Sequence, residues 1–507
     1  MKDIKELRQE IDGIDREILE LFEKRMELSG DIAAYKSEKG LPVYDPVREK
    51  EKILRISKEV PEELRDSSVA LFRMLFELSK SRQAELLGKN SAMAACRGAK
   101  TGRYGLLGEH LGHSYSPRIH SMLAAYSYEL FEKAPEEVED FVKNGDWKGL
   151  NVTIPYKKTV IPYCTELSER AARIGAVNTL VRTKDGGIFG DNTDACGFEK
   201  LIGANGIEIK DKKCLVFGSG GASAMAVEVL KSLGAQDVTV ISRHGENNYD
   251  NLCLHSDAEV IVNTTPVGMF PKNGEQAADL RLFPKLKAVL DVVYNPDRTA
   301  LLLQAEELGI KSCNGLYMLV AQAKRSSELF TGEAIPDERI GEITDALRKE
   351  ALNTVLIGMP GCGKSSIAKL LSEKLSRSVI EADALIEEKA GMSIPEIFAD
   401  RGEEGFRKLE TEVLAEQGKL SGNIISTGGG CVTRQENYPL LHQNGTIVWI
   451  KRDPSVLPKD GRPLSLKNDL SEMYEKRRPC YERFADIEIN NDGDPEDAAQ
   501  RILEALK

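Results

Sequence analysis

Lys213-Cys-Leu-Val-Phe217, followed by Gly218-Ser-Gly-Gly-Ala-Ser223, decides how the middle of this 507-residue chain folds. The first five residues have the composition of a short buried strand. The glycines after them predict a tight turn that leads into an apolar helix from Ala224. The next strand is predicted at Val238-Thr-Val-Ile241. Strand, glycine-rich turn, helix and second strand in this order predict a dinucleotide-binding α/β fold, in which backbone amides of the turn hold a pyrophosphate.

The residues after the second strand indicate which dinucleotide would bind. Proteins that bind NAD place an acidic residue there for the ribose hydroxyls, whereas this chain has Ser242 and Arg243. Because an arginine suits a 2′-phosphate, NADP is favoured over NAD, with an ordinary surface arginine as the alternative. The predicted cofactor contacts are Gly218, Gly220, Gly221, Ala222, Ser242 and Arg243.

Two polar stretches precede this turn. The first is Asn151-Val-Thr-Ile-Pro-Tyr-Lys157, which overlaps a strand predicted from Leu150 to Ile154, and Lys157 lies just past the end of that strand. The second, Gly190-Asp-Asn-Thr-Asp194, lies further along the chain. Lys157 would donate or relay a proton and Asp194 would orient it and keep it charged, which suits reduction of a carbonyl by hydride transfer. The sequence does not determine which of the two side chains transfers the proton. A structural salt bridge between the two side chains is the alternative.

A second glycine-rich turn lies at Gly358-Met-Pro-Gly-Cys-Gly363-Lys364-Ser365, between the apolar strand Thr354-Val-Leu-Ile357 and a helix predicted from Ser366. The pattern GxxxxGK[ST] in this setting predicts a phosphate-binding loop. Loop amides and Lys364 would hold the phosphates of ATP, and the Ser365 hydroxyl would ligate Mg²⁺. The predicted contacts are Gly358, Gly361, Gly363, Lys364, Ser365 and Ser366.

The amino-terminal region carries a heptad stripe that predicts a long amphipathic helix. Its apolar residues are Ile4, Leu7, Ile11, Ile14, Ile18, Leu21, Leu28 and Ile32. Arg25 lies within the stripe, and Lys36 shares its face. A second helix is predicted near Asp45-Pro46 and a third over residues 61–87. The pattern by itself fits an antiparallel helical dimerisation module.

The length and composition of the chain limit the class of protein to which it can belong. The chain is long enough for roughly three domains of about 150 residues each. A hydrophobic content of 41% with 30% charged residues is globular, and the net charge of −12 argues against nucleic-acid binding. The sequence shows no apolar run near the ~20 residues that span a membrane. The nine cysteines are scattered without a CxxC pair, which predicts reduced thiols and a cytoplasmic location.

A series of motifs runs through residues 103–348. The motifs are Ser114-x-Ser116, Asn151–Lys157, Ala176-Val-Asn178-Thr, Gly190-x-Asn-Thr-Asp194-x-x-Gly197, the turn at Gly218, Thr265-Pro-x-Gly-Met269, Asp291-Val-Val-Tyr-Asn-Pro296 and Gly315-Leu-x-Met-Leu-Val-x-Gln322. In this order they resemble the shikimate dehydrogenase family. The resemblance implies reduction of 3-dehydroshikimate to shikimate with NADPH.

By the same resemblance, residues 103–205 and 315–348 would bind the substrate and residues 206–314 would bind NADPH. Lys157 and Asp194 would form the catalytic pair. The substrate carboxylate and hydroxyls would contact Ser114, Ser116, Thr153, Asn178 and Gln322. A dehydrogenase acting on quinate with NAD is the alternative, and Arg243 argues against it.

Residues 353–507 carry a second series of motifs. They include Asp383, Gly402-Glu403 with Phe406-Arg407, Thr427-Gly-Gly-Gly430, Arg462-Pro-Leu464 and Arg477-Arg-Pro-x-Tyr481. They resemble the shikimate kinases, which implies ATP-dependent phosphorylation of shikimate. Asp383 would contact the acceptor hydroxyl and act as a base, and Arg462 would reach the phosphoryl group from a mobile lid. The shikimate contacts would be Arg407, Gly428, Gly429, Gly430 and Arg477.

This segment departs from the kinase pattern at two places. Glu381 stands where the family often has an aspartate that helps to hold Mg²⁺. Ten residues separate Lys451 from Arg462, so the lid is short and lacks the usual arginine on its nucleotide side. The short lid and the missing arginine affect two expected features of the kinase, namely its contacts with adenine and the full closure of the lid that excludes water.

Polar residues of the helical region form a third set, namely Arg8, Arg25, Lys36, Arg48, Ser79 and Gln83. Their spacing resembles the all-helical chorismate mutases, which rearrange chorismate to prephenate. The resemblance implies that Arg25 and Arg48 bind carboxylates, that Lys36 and Gln83 face the ether oxygen, and that Ser79 orients the substrate. Arg8 would come from the partner subunit, and Asp45 and Glu49 would lie near the substrate hydroxyl. A non-catalytic module that senses chorismate or prephenate is the alternative.

The sequence therefore predicts a multidomain cytoplasmic enzyme. An all-α domain over residues 1–88 and a linker over 89–102 precede the Rossmann-type dehydrogenase over 103–348. A P-loop kinase with a parallel sheet follows over 353–507. The predicted ligands are small molecules, with neither nucleic acid nor membrane, and the amino-terminal helices predict a homodimer.

Overall fold

The computed structural model describes residues 103–112, 114–457 and 470–506, together with residues 13, 14, 16, 21–32, 52, 55, 60, 61, 68, 72, 75 and 79. The chain divides into two compact units. The first comprises Met1–Tyr104 and Ala124–Glu129, and the second comprises Gly105–Leu123 and Leu130–Lys507. Among the described residues, each helix is too short or too polar to cross a lipid bilayer.

The amino-terminal part of the first unit is helical wherever it is described from residue 13 to residue 55, including residues 21–32. Its apolar stripe faces outward on the single chain. Ile14, Leu21, Leu28 and Ile32 are 56%, 65%, 61% and 42% exposed. Ser29 and Ser79, in contrast, are buried. The predicted all-α character of this region is confirmed.

The substrate part is built around a six-stranded sheet in the order β2-β1-β3-β5-β6-β4. Its strands are β1 (Tyr104–Gly108), β2 (Tyr128–Glu132), β3 (Gly149–Val152), β4 (Glu166–Leu167), β5 (Thr179–Arg182) and β6 (Ile188–Asp191). Its helices are Ser116–Leu123, Val138–Asn144, Glu169–Ile174, Thr193–Ala204, Leu316–Thr331 and Glu338–Ala351. The last two helices and Ser116–Leu123 share one apolar cluster, so distant segments of the chain enclose the substrate part.

A five-stranded parallel sheet forms the dinucleotide part, in the order β11-β10-β9-β7-β8. Its strands are β7 (Lys213–Phe217), β8 (Asp237–Ile241), β9 (Val260–Asn263), β10 (Ala288–Asp291) and β11 (Lys311–Cys313). The helices Gly221–Ser232 and Ala300–Glu307 connect them. Because β7 lies between β8 and β9, the strand order reverses there, and ligands of such sheets bind at the reversal. The predicted Rossmann-type fold is confirmed, and the first helix begins three residues before Ala224 because the glycines form its first turn.

The carboxy-terminal part also has a five-stranded parallel sheet, in the order β13-β14-β12-β15-β16. Its strands are β12 (Asn353–Ile357), β13 (Val379–Glu381), β14 (Ile424–Ser426), β15 (Gly445–Lys451) and β16 (Ile487–Asn490). The helices are Lys364–Leu375, Ala382–Ala390, Ile394–Gln417, Asn437–His442, Leu470–Phe484 and Pro495–Ala505. The phosphate-binding loop follows the central strand, and the predicted P-loop fold is confirmed.

The dinucleotide part and the P-loop part pack against each other through the docking turn, His442–Asn444, which is buried. The backbone N–H of Arg298 donates to the carbonyl of Gln443 at 2.8 Å, and its guanidinium donates to the carbonyl of His442 at 3.1 Å. Only Leu352 separates the helix Glu338–Ala351 from β12. These contacts join the two parts into one compact unit.

His442 lies between two carboxylates at this junction. Its Nε2 is 3.5 Å from Glu306 Oε2, and its Nδ1 is 3.4 Å from Asp486 Oδ2. Burial opposes the charged imidazolium and Arg298 repels it, but attraction to Asp486 and Glu306 prevails and raises the pKa of His442 above its ordinary value. A raised pKa in the folded chain stabilises the fold below the unfolded pKa of about 6.5, and this stabilisation is lost as the pH rises through the folded value.

We therefore expect His442→Gln to destabilise the chain by roughly 1–3 kcal/mol near pH 6 and by less near pH 9. Thermal unfolding of the wild type and the variant across this pH range measures the difference. A loss of stability that is the same at every pH would contradict a charged His442.

Candidate active sites

The predicted pair of the substrate part lies in direct contact. Lys157 Nζ is 2.6 Å from Asp194 Oδ2, and the two side chains are 25% and 18% exposed. The carbonyl of Lys157 accepts from the Val177 N–H at 2.8 Å, which fixes the turn after β3. Asp194 lies in the first turn of the helix Thr193–Ala204, where the helix dipole favours a negative charge. The pair can therefore hold and transfer a proton at a partly open position.

A buried polar network lies beside this pair and includes Asn178 and Gln322. Asn178 Oδ1 accepts from the Thr193 N–H at 2.7 Å, and the Thr193 hydroxyl donates to Gln322 Oε1 at 3.4 Å. Asn151 Nδ2 donates to Ser326 Oγ at 2.7 Å. The roles of Asn151, Thr193 and Ser326 were not predicted, although the first two lie inside the polar stretches quoted above. The network holds three side-chain amides in one place, those of Asn151, Asn178 and Gln322.

The other three predicted substrate contacts lie near the ends of β1 and β3. The Ser116 N–H donates to Ser114 Oγ at 3.2 Å, at the start of the helix Ser116–Leu123. The Thr153 N–H donates to the carbonyl of Leu107 at 2.9 Å. Gly108 has to be glycine here, because a Cβ would lie 2.7 Å from Thr153 Cγ2. Ser116 thus begins a helix and Thr153 directly follows β3, whereas Ser114 lies in the loop before the helix.

A cavity of about 840 Å³ opens at the reversal point of the dinucleotide sheet. Its walls include every predicted cofactor contact, namely Gly218, Gly220, Gly221, Ala222, Ser242 and Arg243. Lys157 also lines it. Gly218 has φ +111° and no room for a Cβ, which would lie 2.8 Å from Thr264 Oγ1. The turn, the helix beginning at Gly221 and the arginine beyond β8 fit a dinucleotide that carries a 2′-phosphate.

The cavity has a wall that the sequence reasoning did not assign. This wall is formed by the two ends of the cofactor loop, defined here as residues 264–277. Thr264, Thr265, Pro266, Val267, Gln276 and Ala277 line the cavity. The motif Thr265-Pro-x-Gly-Met269 signalled this loop without indicating its role.

In the P-loop part, one cavity of about 540 Å³ contains both the phosphate loop and the predicted shikimate contacts. The predicted residues that line it are Gly361, Gly363, Lys364, Ser365, Ser366, Asp383, Arg407, Gly428, Gly429, Gly430 and Arg477. Gly358 is absent from this lining and packs under the loop, with φ +144° and a Cβ position only 2.4 Å from the carbonyl of Ile450. Gly358 therefore lies beneath the loop, and its contact with the nucleotide stays a prediction.

Asp383 lies among the cations and carboxylates of this cavity. Lys364 Nζ donates to the carbonyl of Gly358 at 2.9 Å, and Ser365 Oγ donates to Glu381 Oε2 at 3.1 Å. Burial raises the pKa of Asp383, and the nearby cations Lys364 and Arg407 only partly oppose this. Glu381 thus lies beside the serine predicted to hold Mg²⁺, and carboxylate and hydroxyl oxygens suit that ion.

Two residues of the cavity escaped the sequence reasoning. Glu410 is fully buried, and its Oε2 accepts from Arg407 Nη1 at 2.7 Å, which orients the arginine. Arg452 follows β15 and lines the cavity. Neither has a local sequence signal, since each is placed by the packing of a helix or strand end. Arg477 Nη1 donates to the carbonyl of Gly429 at 3.1 Å.

The first unit brings together two residues predicted for chorismate. Arg25 Nη1 donates to Ser79 Oγ and, at 2.8 Å, to the carbonyl of Leu75. Seven predicted site residues lie outside the described part of the chain: Arg8, Lys36, Asp45, Arg48, Glu49, Gln83 and Arg462.

The second unit thus combines a dinucleotide-dependent oxidoreductase with a P-loop kinase. The family model for the shikimate dehydrogenase substrate binding domain matches residues 106–180, that for chorismate mutase type II matches residues 7–84, and that for shikimate kinase matches residues 360–507. The chain belongs to the shikimate dehydrogenase family and carries a helical mutase domain before this module and a kinase domain after it.

Curated relatives match the middle of the chain. Shikimate dehydrogenase (NADP(+)) of Clostridium perfringens (strain 13 / Type A) is 34% identical over 266 residues, which are 48% of this chain and 98% of that protein. The enzyme of the same name from Alkaliphilus oremlandii is 34% identical over 268 residues, covering 46% of this chain and 93% of that protein. A crystal structure of a chorismate mutase/shikimate 5-dehydrogenase fusion protein from Clostridium acetobutylicum is 40% identical, covers 50% of this chain and 98% of its own, and has a TM-score of 0.47.

Proposed function

We propose that the chain catalyses three reactions of the shikimate pathway. It reduces 3-dehydroshikimate to shikimate with NADPH, phosphorylates shikimate with ATP and Mg²⁺, and rearranges chorismate to prephenate. The observation that carries the central activity is the contact of 2.6 Å between Lys157 and Asp194 beside the dinucleotide cavity.

In the reduction, NADPH supplies the hydride that reaches the ketone carbon. Lys157 donates a proton to the ketone oxygen as negative charge develops there. Asp194 holds the ammonium group in place through the contact between Lys157 Nζ and its Oδ2. Ser114, Ser116, Thr153, Asn178 and Gln322 bind the carboxylate and hydroxyls of the ring.

In the phosphorylation, ATP with Mg²⁺ supplies the phosphoryl group. Asp383 accepts the proton of the attacking hydroxyl, Lys364 neutralises phosphate charge, and Ser365 holds the metal ion. Arg407 and Arg477 bind the shikimate carboxylate. A buried guanidinium held by Glu410 is well suited to this, because little freedom is lost when the anion arrives.

In the rearrangement, catalysis needs cations for two carboxylates and donors for the ether oxygen. Arg25, next to Ser79, provides the carboxylate site within the described residues. Arg8, Arg48, Lys36 and Gln83 complete the set, with Asp45 and Glu49 at the substrate hydroxyl.

In the kinase reaction, Arg462 contacts the transferring phosphoryl group from the lid.

The purified intact chain should be assayed separately with chorismate, with shikimate plus NADP⁺, and with shikimate plus MgATP. We expect prephenate, NADPH and shikimate 3-phosphate respectively. Absence of shikimate-dependent NADPH formation would overturn the central assignment. Absence of prephenate alone would reduce the helical domain to a module that binds chorismate or prephenate.

A homodimer formed through the amino-terminal helices is part of this proposal. The exposed residues Ile14, Leu21, Leu28 and Ile32 form an apolar stripe, which a second copy of the same helix can cover. Sedimentation of the wild type should give the mass of a dimer, and Leu28→Glu should lower it. A monomeric wild type would contradict the dimer.

The eight described cysteines are free thiols, which supports a cytoplasmic location that cell fractionation can test.

Removal of the Arg243 guanidinium should weaken the binding of NADP⁺ but not that of NAD⁺. A charge-assisted hydrogen bond contributes about 1.5–3 kcal/mol, so Arg243→Ala should raise the KM for NADP⁺ by roughly 10–100-fold and leave the KM for NAD⁺ nearly unchanged. Steady-state kinetics with each cofactor measure the change, and Arg281→Ala, on the exposed surface of the same part, is the control. An equal rise for both cofactors would contradict a 2′-phosphate site.

A further inference from the structure

The cofactor loop of the dehydrogenase is held from outside by the kinase part. Its two ends line the NADP cavity, whereas its middle reaches the docking turn. Asn273 Nδ2 donates to Gln443 Oε1 at 2.9 Å, and Lys419 Nζ donates to the carbonyl of Pro271 at 3.2 Å. The loop is thus anchored at positions 170 and 148 residues away in the sequence.

Gln443 is well fixed for this contact. It is 5% exposed, its Nε2 donates to the carbonyl of Leu440 at 2.9 Å, and its own carbonyl accepts from the Arg298 N–H at 2.8 Å. Its Oε1 therefore points in one direction, toward Asn273. Because both polar groups of the Gln443 side chain are hydrogen-bonded, the side chain has one favoured orientation and can hold the loop in place.

The loop transmits this position to the cavity. A Cβ on Gly268 would lie 2.9 Å from the carbonyl of Glu275, so the two arms of the loop lie close together. The Phe270 N–H donates to the carbonyl of Asn295 at 3.0 Å, which ties the loop to the strand-end segment after β10. Displacement of Asn273 is therefore expected to move Val267 and Gln276, which line the cavity.

We infer that Gln443 of the kinase part is a positioning residue for NADP binding by the dehydrogenase, acting through Asn273 and the cofactor loop. This inference rests on the proposed dehydrogenase function. It means that the kinase part supports one wall of the dehydrogenase cofactor site from outside, without itself lining the cavity.

The test uses the full chain with Gln443→Ala, Asn273→Ala and the double variant. NADPH affinity is measured by the fluorescence of the bound cofactor, without turnover. We expect each single variant to weaken binding by about tenfold, as loss of one well-placed hydrogen bond allows. The double variant should be no weaker than either single one, because both remove the same contact. Gln500→Ala, an exposed kinase glutamine, is the control.

Steady-state kinetics of the variants distinguish a positioning role of Gln443 from general destabilisation of the fold. We expect the KM for NADP⁺ to rise by about tenfold while kcat and the KM for shikimate change by less than about twofold. A purely structural defect would lower the active fraction and kcat and leave the NADPH affinity of the folded protein unchanged. If Gln443→Ala fails to fold, Asn273→Ala tests the same contact from the dehydrogenase side.

Unchanged NADPH affinity in Asn273→Ala, or additive losses in the double variant, would overturn the inference. If the wild type binds NADPH and oxidises shikimate but Gln443→Ala does so equally well, only the inference fails. If the wild type does neither, the proposed dehydrogenase function fails with it.

Discussion

Lys157→Ala is expected to lower the turnover of shikimate oxidation by roughly a thousandfold, within the range typical of a lost general acid or base. Without the ammonium group, negative charge on the substrate oxygen has neither a proton donor nor a nearby cation. The KM for shikimate should change much less, because other side chains bind the ring and carboxylate. Steady-state kinetics with shikimate and NADP⁺ measure both quantities.

This prediction has two controls. The kinase activity of the same polypeptide should be unchanged, since Lys157 lies in a different cavity. Lys148→Ala, at an exposed position before β3, should leave both activities near the wild-type level. Near-wild-type turnover in Lys157→Ala would show that the contact with Asp194 is only a structural salt bridge.

Asp383→Asn should lower kinase turnover by roughly 10²–10⁴-fold while shikimate still binds. The amide keeps the shape of the carboxylate but cannot accept the proton of the attacking hydroxyl. Binding should persist because Arg407 and Arg477 are untouched. Coupled assays with MgATP and shikimate measure turnover, and dehydrogenase activity on the same chain reports folding.

The pH profile adds an independent check on Asp383. Burial raises its pKa, and the cations beside it only partly reverse the effect. Since a base has to be deprotonated, kinase turnover should fall as the pH drops through a value above the ordinary pKa of about 4 for an aspartate. Asp400→Asn, on the exposed side of the same part, is the matched control. An acid limb at the ordinary aspartate position would exclude Asp383 as the titrating base.

The folds of the second unit were readable from the sequence because their signals are local. Lys213–Phe217 and Gly218–Ser223 form a strand and turn within a few residues, and Gly358–Ser365 follows β12 directly. The helices begin earlier than predicted, at Gly221 and Lys364, because turn residues form their first turns. Lys157 and Asp194 were predicted as a pair because each lies in a dense polar stretch.

The remaining features depend on packing between distant segments. Asn151 and Ser326 are 175 residues apart in the sequence, and Asn273 and Gln443 are 170 apart. No periodicity or motif connects such positions before the sheets and helices have assembled. Glu410 is similar, because it lies one turn from Arg407 on a helix where many glutamates are exposed. Its burial distinguishes it, and burial is a property of the fold.

The short junction between the helix Glu338–Ala351 and β12 has a consequence for metabolite traffic. Only Leu352 lies between these elements, so this continuously described stretch contains no flexible tether. The dehydrogenase and kinase cavities are separate but lie in one compact unit, so shikimate has to leave the first cavity before it can enter the second.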